Sequence, residues 1–224
     1  MANTRNIALN VLLKIENEGA YSNIALNNAI KENRLSGVDS SFVSALVYGV
    51  LERRITLDYI IRSYSKIPLR KIETKTKNIL RLGILQLLFM DKVPDSAAVN
   101  ESVNLAKKHK LQKSSGFING ILRNITRAEV KYTLPDEKDR VRYLSVKYSV
   151  PENIVKLWVN SYGENNTEQL LASLNGRAKI CCRVNTLRTD ADTLIKKLSD
   201  EGVVAEKIPF INNALYLENT GSVS

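Results

Sequence analysis

Two adjacent cysteines, one histidine and several dense runs of lysine and arginine are the residues of this 224-residue chain with chemistry to offer. Cys181 and Cys182 invite a nucleophile reading, which needs an accessible, electropositive setting or a histidine partner. Both lie in Lys179 to Asn185, KICCRVN, which reads as a strand, so their side chains point to opposite faces. The expectation is therefore structural, with at least one of them in the core. Neighbouring cysteines rarely bridge, because the ring is strained, and no other cysteine exists. No disulfide framework is expected, which suits a reducing compartment. His109 stands beside Lys107, Lys108 and Lys110 and reads as a solvent-facing residue near a helix C-terminus. With so few histidines and cysteines, no metal site is expected. Trp158, at helical spacing from Ile154 and Val155, reads as core in preference to a base-stacking platform.

The basic runs are more informative. Arg62, Lys66, Arg70, Lys71, Lys75, Lys77 and Arg81 fall within twenty residues that hold one acid, Glu73. A second set, Lys107, Lys108, Lys110, Lys113, Arg123 and Arg127, brackets Ser114 to Phe117, read as a turn. Such charges neutralise phosphates and release counterions, while donors near Ser114, Ser115 and Asn119 could position a strand. The plainer alternative is a solvated helix face. The net charge is +10 and the pI about 9.6. Residues 1 to 130 carry 20 Lys and Arg against 11 Asp and Glu, a net of +9; the remainder carries 13 against 12. The excess belongs to the first part, as expected for a domain that meets a polyanion.

Several chemistries lack their motif. Binding of a nucleotide-like methyl donor commonly uses a strand followed by a glycine-rich turn. No such turn occurs, and Asn175-Gly176 reads as an ordinary turn. Phosphate-loop, zinc-protease and nucleophile-elbow motifs are also missing. The N-terminus does not read as a signal peptide, and Ile79 to Met90 is too short to span a bilayer and is interrupted by Arg81 and Gln86. A cytoplasmic protein without a membrane segment is expected.

These residues must be held by helices. Ile7, Val11 and Ile15, with Leu12 beside them, give one apolar face, and Ile24, Leu26 and Ile30 a short second helix after Gly19. Asp39 is placed to cap one long helix carrying Phe42, Leu46, Val50, Leu57 and Ile61. After Pro68, the stripe Ile72, Ile79, Leu82 and Leu85 to Phe89 marks a helix apolar enough for a bundle centre. Pro94 and Asp95 start a helix over Ser96 to Lys108, and Gly116 and Phe117 lead into the last, with Phe117, Ile121 and Ile125. Residues 1–128 thus read as an all-α domain and 129–139, EVKYTLPDEKD, as a polar linker. Residues 140–224 read as helices at Arg140 to Tyr148, Pro151 to Tyr162 and Glu164 to Leu174, then a small β-α-β-β module. Its parts are Lys179 to Asn185, Asp190 to Asp200, Val203 to Ile208 and Ala214 to Leu217.

The stretch LRLGILQLLFMDKVPDSAAVNESVNLAKKH, followed by SSGFINGILRNI, resembles the second half of the NusB-type RNA-binding fold. It is closer still to the form of that fold at the front of Sun/Fmu-type ribosomal RNA small-subunit methyltransferases, the RsmB group. YSVPENIVKLWVNSYG and ICCRVNTLRTDADTLIKKLSDEG resemble the linker and N1 segment that precede the catalytic domain there. The resemblance implies a mainly α protein: a NusB-like bundle followed by a small α+β module. It implies a parent enzyme that moves a methyl group from S-adenosylmethionine to carbon 5 of a cytosine in small-subunit (16S) ribosomal RNA. The family's cysteines lie downstream, in proline-cysteine and threonine-cysteine motifs that Cys181 and Cys182 do not match. The chain is thus expected to be the RNA-recognition portion, with no catalytic or cofactor-binding residue, its partners being that RNA and a C-terminal methyltransferase domain. The alternative is a non-enzymatic NusB-like antitermination or ribosome-biogenesis adaptor. The resemblance adds Arg5, Asn119, Arg123, Arg183 and Asn185 to the cationic candidates Arg70, Lys71, Lys75, Lys77, Arg81 and Lys113 as expected RNA contacts.

Overall fold

Nine consecutive residues, Asn78 to Gln86, are buried on every side of one helix, and the rest of the bundle is arranged around it. The computed structural model describes residues 4–174 and 179–218; the expected turn at Asn175-Gly176 lies outside them. The central helix is α5 (Thr74–Phe89), which packs against α1 (Thr4–Glu18), α3 (Gly37–Glu52), α4 (Arg54–Tyr64), α6 (Asp95–Lys108) and α7 (Gln112–Arg127). Its apolar residues Ile79, Leu80, Leu82, Ile84 and Leu85 account for this, since a helix hydrophobic all round must be enclosed. Gly83 permits the closest approach: a Cβ there would sit 2.8 Å from Leu122 Cδ1 and 2.9 Å from Ser102 Oγ. α2 (Ser22–Glu32) lies across α1 and α3.

Three expectations change here. The long helix capped by Asp39 is two helices broken at Arg53, whose φ of −107° and ψ of 18° leave the helical region. Leu46, Val50, Leu57 and Ile61 are all buried nonetheless, so the apolar period survives the break and conceals it. Ser36 holds the N-cap position and Asp39 sits in the first turn, where its charge suits the helix dipole. Ile24 is 54% exposed, because α2 turns its Ala25 and Leu26 side inward. The Ser114 to Phe117 turn is helical, within the first turns of α7.

Residues 129–139 have no regular secondary structure, with bends at 129–130 and a turn at 137–138, but they are anchored. Tyr64 Oη donates to the Lys131 carbonyl (2.6 Å), Lys131 Nζ donates to the Thr126 carbonyl (2.7 Å), and Tyr132 packs on Phe89. α8 (Arg140–Tyr148) then docks on α4, where Thr56 Oγ1 donates to the Val146 carbonyl (2.6 Å) and the Ile55 amide to Ser149 Oγ (3.0 Å). α9 (Glu152–Tyr162) and α10 (Glu164–Leu174) complete a second small core of Tyr143, Leu144, Val155 and Leu171. Trp158 lies half-buried against it. Arg140 and Lys147 of α8 both pair with Glu168 of α10. The chain accordingly divides into compact units between Ala172 and Ser173, and α8–α10 pack with the bundle.

The second unit holds an antiparallel sheet in the order β1-β3-β2, formed by β1 (Ile180–Arg183), β2 (Val204–Ile208) and β3 (Ile211–Glu218). α11 (Ala191–Asp200) packs on β2 and β3 and is N-capped by Asp190, which accepts from the Thr193 amide (2.9 Å) and hydroxyl (2.7 Å). Neither cysteine reaches the core as expected. Cys182, paired with buried Leu215, is half-buried, and Cys181, opposite Tyr216, is exposed. A three-stranded sheet carrying one helix has too little cover to enclose its edge strand.

Candidate nucleic-acid interface

Arg70 and Lys71 occupy a 3-10 turn (Leu69–Lys71) ahead of α5, and both are exposed. Pro68 sets the chain extended before this turn, with φ −56° and ψ 137°. Lys71 shares a cleft of about 250 Å³ with Lys113 and Ser114, from the first turn of α7, and with Thr76 and Glu73. Sequence-distant cations are thus brought to one place by the pairing of two helix starts. Ser115 is committed elsewhere, its hydroxyl donating to the Gln112 carbonyl (2.7 Å).

Lys75 and Lys77 are half-buried, and Lys77 lies 3.9 Å from Glu16. Lys75 and Lys108 add their charge to the desolvation that lowers the pKa of His109. His109 is itself half-buried, not solvent-facing, because its Nε2 meets Asn6 Oδ1 at 2.7 Å.

Arg81 is the clear departure. It is 2% exposed, with Nε and Nη2 on the two carboxylate oxygens of Asp58 (2.7 and 2.9 Å) and Nη1 on Glu16 (3.0 Å) and Asn78 (3.1 Å). Desolvation works to lower its pKa, and the hydrogen bonds and charges of Asp58 and Glu16 outweigh it and raise it. Its polar groups are consumed internally, so it leaves the set of phosphate contacts. Its place in the middle of a helix buried on every side puts it in the interior.

Arg5 is half-buried at the start of α1; its Nε donates to Gln86 (2.7 Å) and its guanidinium lies over Phe42 (5.2 Å). Arg123 donates to Asn119 (3.0 Å) and lines a cleft with Arg127, Asp95, Ser96 and Asn100. In the second unit Arg183 is exposed, and Asn185 Oδ1 accepts from the Leu187 amide (3.2 Å), shaping the turn after β1. Sequence reasoning left out Arg54, which joins Arg62, Lys66 and Arg70 in a further cleft. The adjacent pair Arg53-Arg54 was the available signal, and the helix break hid its direction.

β1 is the described strand that leads through a turn into a helix, and the turn, residues 184–190, contains no glycine. Among the described residues this turn does not have the glycine-rich form commonly used as a backbone cradle for a nucleotide-like methyl donor. Among the described residues no group of three or more His, Cys, Asp or Glu could hold a metal ion. No described helix is long and apolar enough to cross a membrane.

The sequence model of the NusB family matches residues 2–127, which is the helical bundle up to the end of α7. The chain belongs to the NusB family. The transcription antitermination protein NusB of a Nocardioides species is 36% identical over 124 residues, 55% of this chain and 90% of that protein. A second family model, described as Methyltr_RsmF/B-like, ferredoxin-like domain, matches residues 150–224. The chain is therefore a NusB bundle joined to that module, mainly α with a small α+β part. A probable ribosomal RNA small subunit methyltransferase B of Bacillus subtilis is 35% identical over 213 residues, 95% of this chain and 47% of that protein. The chain spans about half the length of the curated methyltransferases it matches. Among solved structures, NusB in a complex of antitermination factors NusB and NusE with double-stranded RNA superposes with a TM-score of 0.50 at 23% identity. That likeness covers 55% of this chain and 92% of the other.

Proposed function

We propose that this chain is the RNA-recognition portion of a ribosomal RNA small-subunit methyltransferase that modifies carbon 5 of a cytosine. The methyl donor would be S-adenosylmethionine, held by a catalytic domain outside these 224 residues. The observation that carries this reading is the joining of a NusB bundle to the RsmF/B-like ferredoxin module in one chain. A methyltransferase of Bacillus subtilis aligns across both. In this reading Lys71 and Lys113 hold phosphates in the cleft between the starts of α5 and α7, and Arg70, Lys75 and Lys77 add their charge from the neighbouring surface of the same turn and helix. Arg5, Asn119 and Arg123 add contacts elsewhere on the bundle, and Arg183 and Asn185 add theirs from the second unit. NusB in the solved complex is itself found with double-stranded RNA, which supports RNA as the ligand.

A second reading, a non-enzymatic NusB-like adaptor, draws on the match that covers 90% of a free-standing NusB. It leaves residues 150–224 without a purpose and is the weaker for that. Deleting the gene in its source organism and mapping small-subunit ribosomal RNA by mass spectrometry separates the two. Loss of one 5-methylcytosine is expected, and an unchanged set of methylcytosines would overturn the enzyme reading.

A further inference from the structure

The 3-10 turn that carries Arg70 and Lys71 is a ridge with a cleft on each side. One is the Lys71–Lys113 cleft described above; the other is larger, about 670 Å³, and lies between α4, the 65–70 segment and α5. Arg54, Arg62, Lys66, Arg70, Lys77 and Arg81 line it, against one lining carboxylate, Asp58. Glu16, just outside, pairs with Arg54 (3.4 Å), Lys77 (3.9 Å) and Arg81 (3.0 Å). Six cations thus face two carboxylates, and four positive charges are unmatched.

The surplus is not spread evenly. Arg81 and Asp58 satisfy each other beneath the cleft, and Glu16 is shared three ways. The side chains of Arg62, Lys66 and Arg70 are exposed and make no hydrogen bond or ion pair among the described residues. Like charges held this close repel, and a low-dielectric wall strengthens that repulsion. Ile67, Pro68 and Leu69 supply such a wall. A ligand bringing several negative charges relieves the repulsion, and the wall gives sugars or bases an apolar surface.

Resting on the RNA-recognition reading, we propose that this cleft is a second backbone-binding site of the bundle, in which Arg62, Lys66 and Arg70 hold successive phosphates of an RNA strand. Arg70 and Lys71, on opposite sides of one ridge, then lead the strand from this cleft to the Lys71–Lys113 cleft. Contacts of this kind hold phosphates and carry no sequence information.

The test compares the 224-residue chain with Arg62→Gln/Lys66→Gln/Arg70→Gln, using two short single-stranded RNAs of unrelated sequence across a potassium chloride series. A control, Lys14→Gln/Lys31→Gln/Arg34→Gln, removes the same charge outside the cleft. Three lost phosphate contacts flatten the slope of log affinity against log salt by about 2, so the wild type loses about 16-fold more affinity between 50 and 200 mM salt. The expected result is that flattening, equal for both RNAs and absent in the control. A cleft variant with the wild-type slope, or a control that flattens equally, overturns the proposal and leaves the RNA-recognition reading standing. A wild-type chain that binds neither RNA sinks both.

Discussion

Replacing Arg81 by methionine tests whether this charge in the middle of α5 serves the fold or the ligand. The substitution keeps an unbranched apolar stem and removes a guanidinium that makes four hydrogen bonds, three of them to Asp58 and Glu16. Breaking a buried pair from one side costs about 3–5 kcal/mol, because the orphaned charge remains. Asp58 and Glu16 are 14% and 18% exposed, so water recovers part of their solvation and the loss belongs near 3 kcal/mol. For a unit of this size that lowers Tm by about 6–12 °C. Urea and thermal unfolding of the chain measure both quantities. A companion variant, Arg81→Met with Asp58→Met, removes the orphan and should recover at least about 1 kcal/mol of the loss. At a temperature where Arg81→Met is folded, its RNA affinity should keep the wild-type salt slope. A loss below about 1 kcal/mol, or a flattened slope, would refute the assignment of Arg81 as an internal clamp.

The same clamp sets a pH dependence: desolvation pushes Glu16 up, but the Asn78 hydrogen bond and the charges of Arg81, Arg54 and Lys77 prevail and hold it below its ordinary 4.5. A depressed carboxylate contributes stability that is present above 4.5 and lost as pH falls through the lower folded value, so Glu16→Gln should flatten the acid limb of a stability profile. His109 should titrate below 6.5 by NMR, through its partial burial and then Lys75 and Lys108, and Lys75→Gln should move it upward. At Gly83, alanine gains about 1 kcal/mol of helix propensity but meets Leu122 and Ser102 within 2.9 Å, where overpacking costs about 1–3 kcal/mol. Gly83→Ala should therefore destabilise, and more than Gly49→Ala, whose new methyl meets only the flexible end of Leu85; denaturant midpoints decide both.

Most of the helices were legible because their apolar residues recur at helical spacing. The ranges read for the helices after residue 94 agree with the structure to within a few residues, apart from the start of α7. The capping signal at Asp39 was misleading, since that residue lies within the first turn of α3 behind Ser36, whereas Asp190, read only as the start of a helix, holds the N-cap of α11. The break at Arg53 left no trace in the apolar pattern, since Val50 and Leu57 face the core on either side of it. The polar run 129–139 looked like a linker because its anchoring is done by backbone carbonyls and by Tyr64, far away in sequence.

For the candidate interface the sequence supplied the charges and their concentration in the first 130 residues, and composition alone suffices for that. Which charges remain available was decided only by the fold. Arg81 and Arg70 are both cations on basic runs, yet one is sealed against Asp58 and Glu16 and the other stands exposed on a ridge. The difference arises from Glu16 and Asp58, which come from α1 and α4 and meet α5 only after the bundle closes. Local spacing carries the period of a helix and the sum of its charges. The pairing of a cation with an acid 65 residues away is a property of packing, and it separates a structural arginine from one that can meet a phosphate.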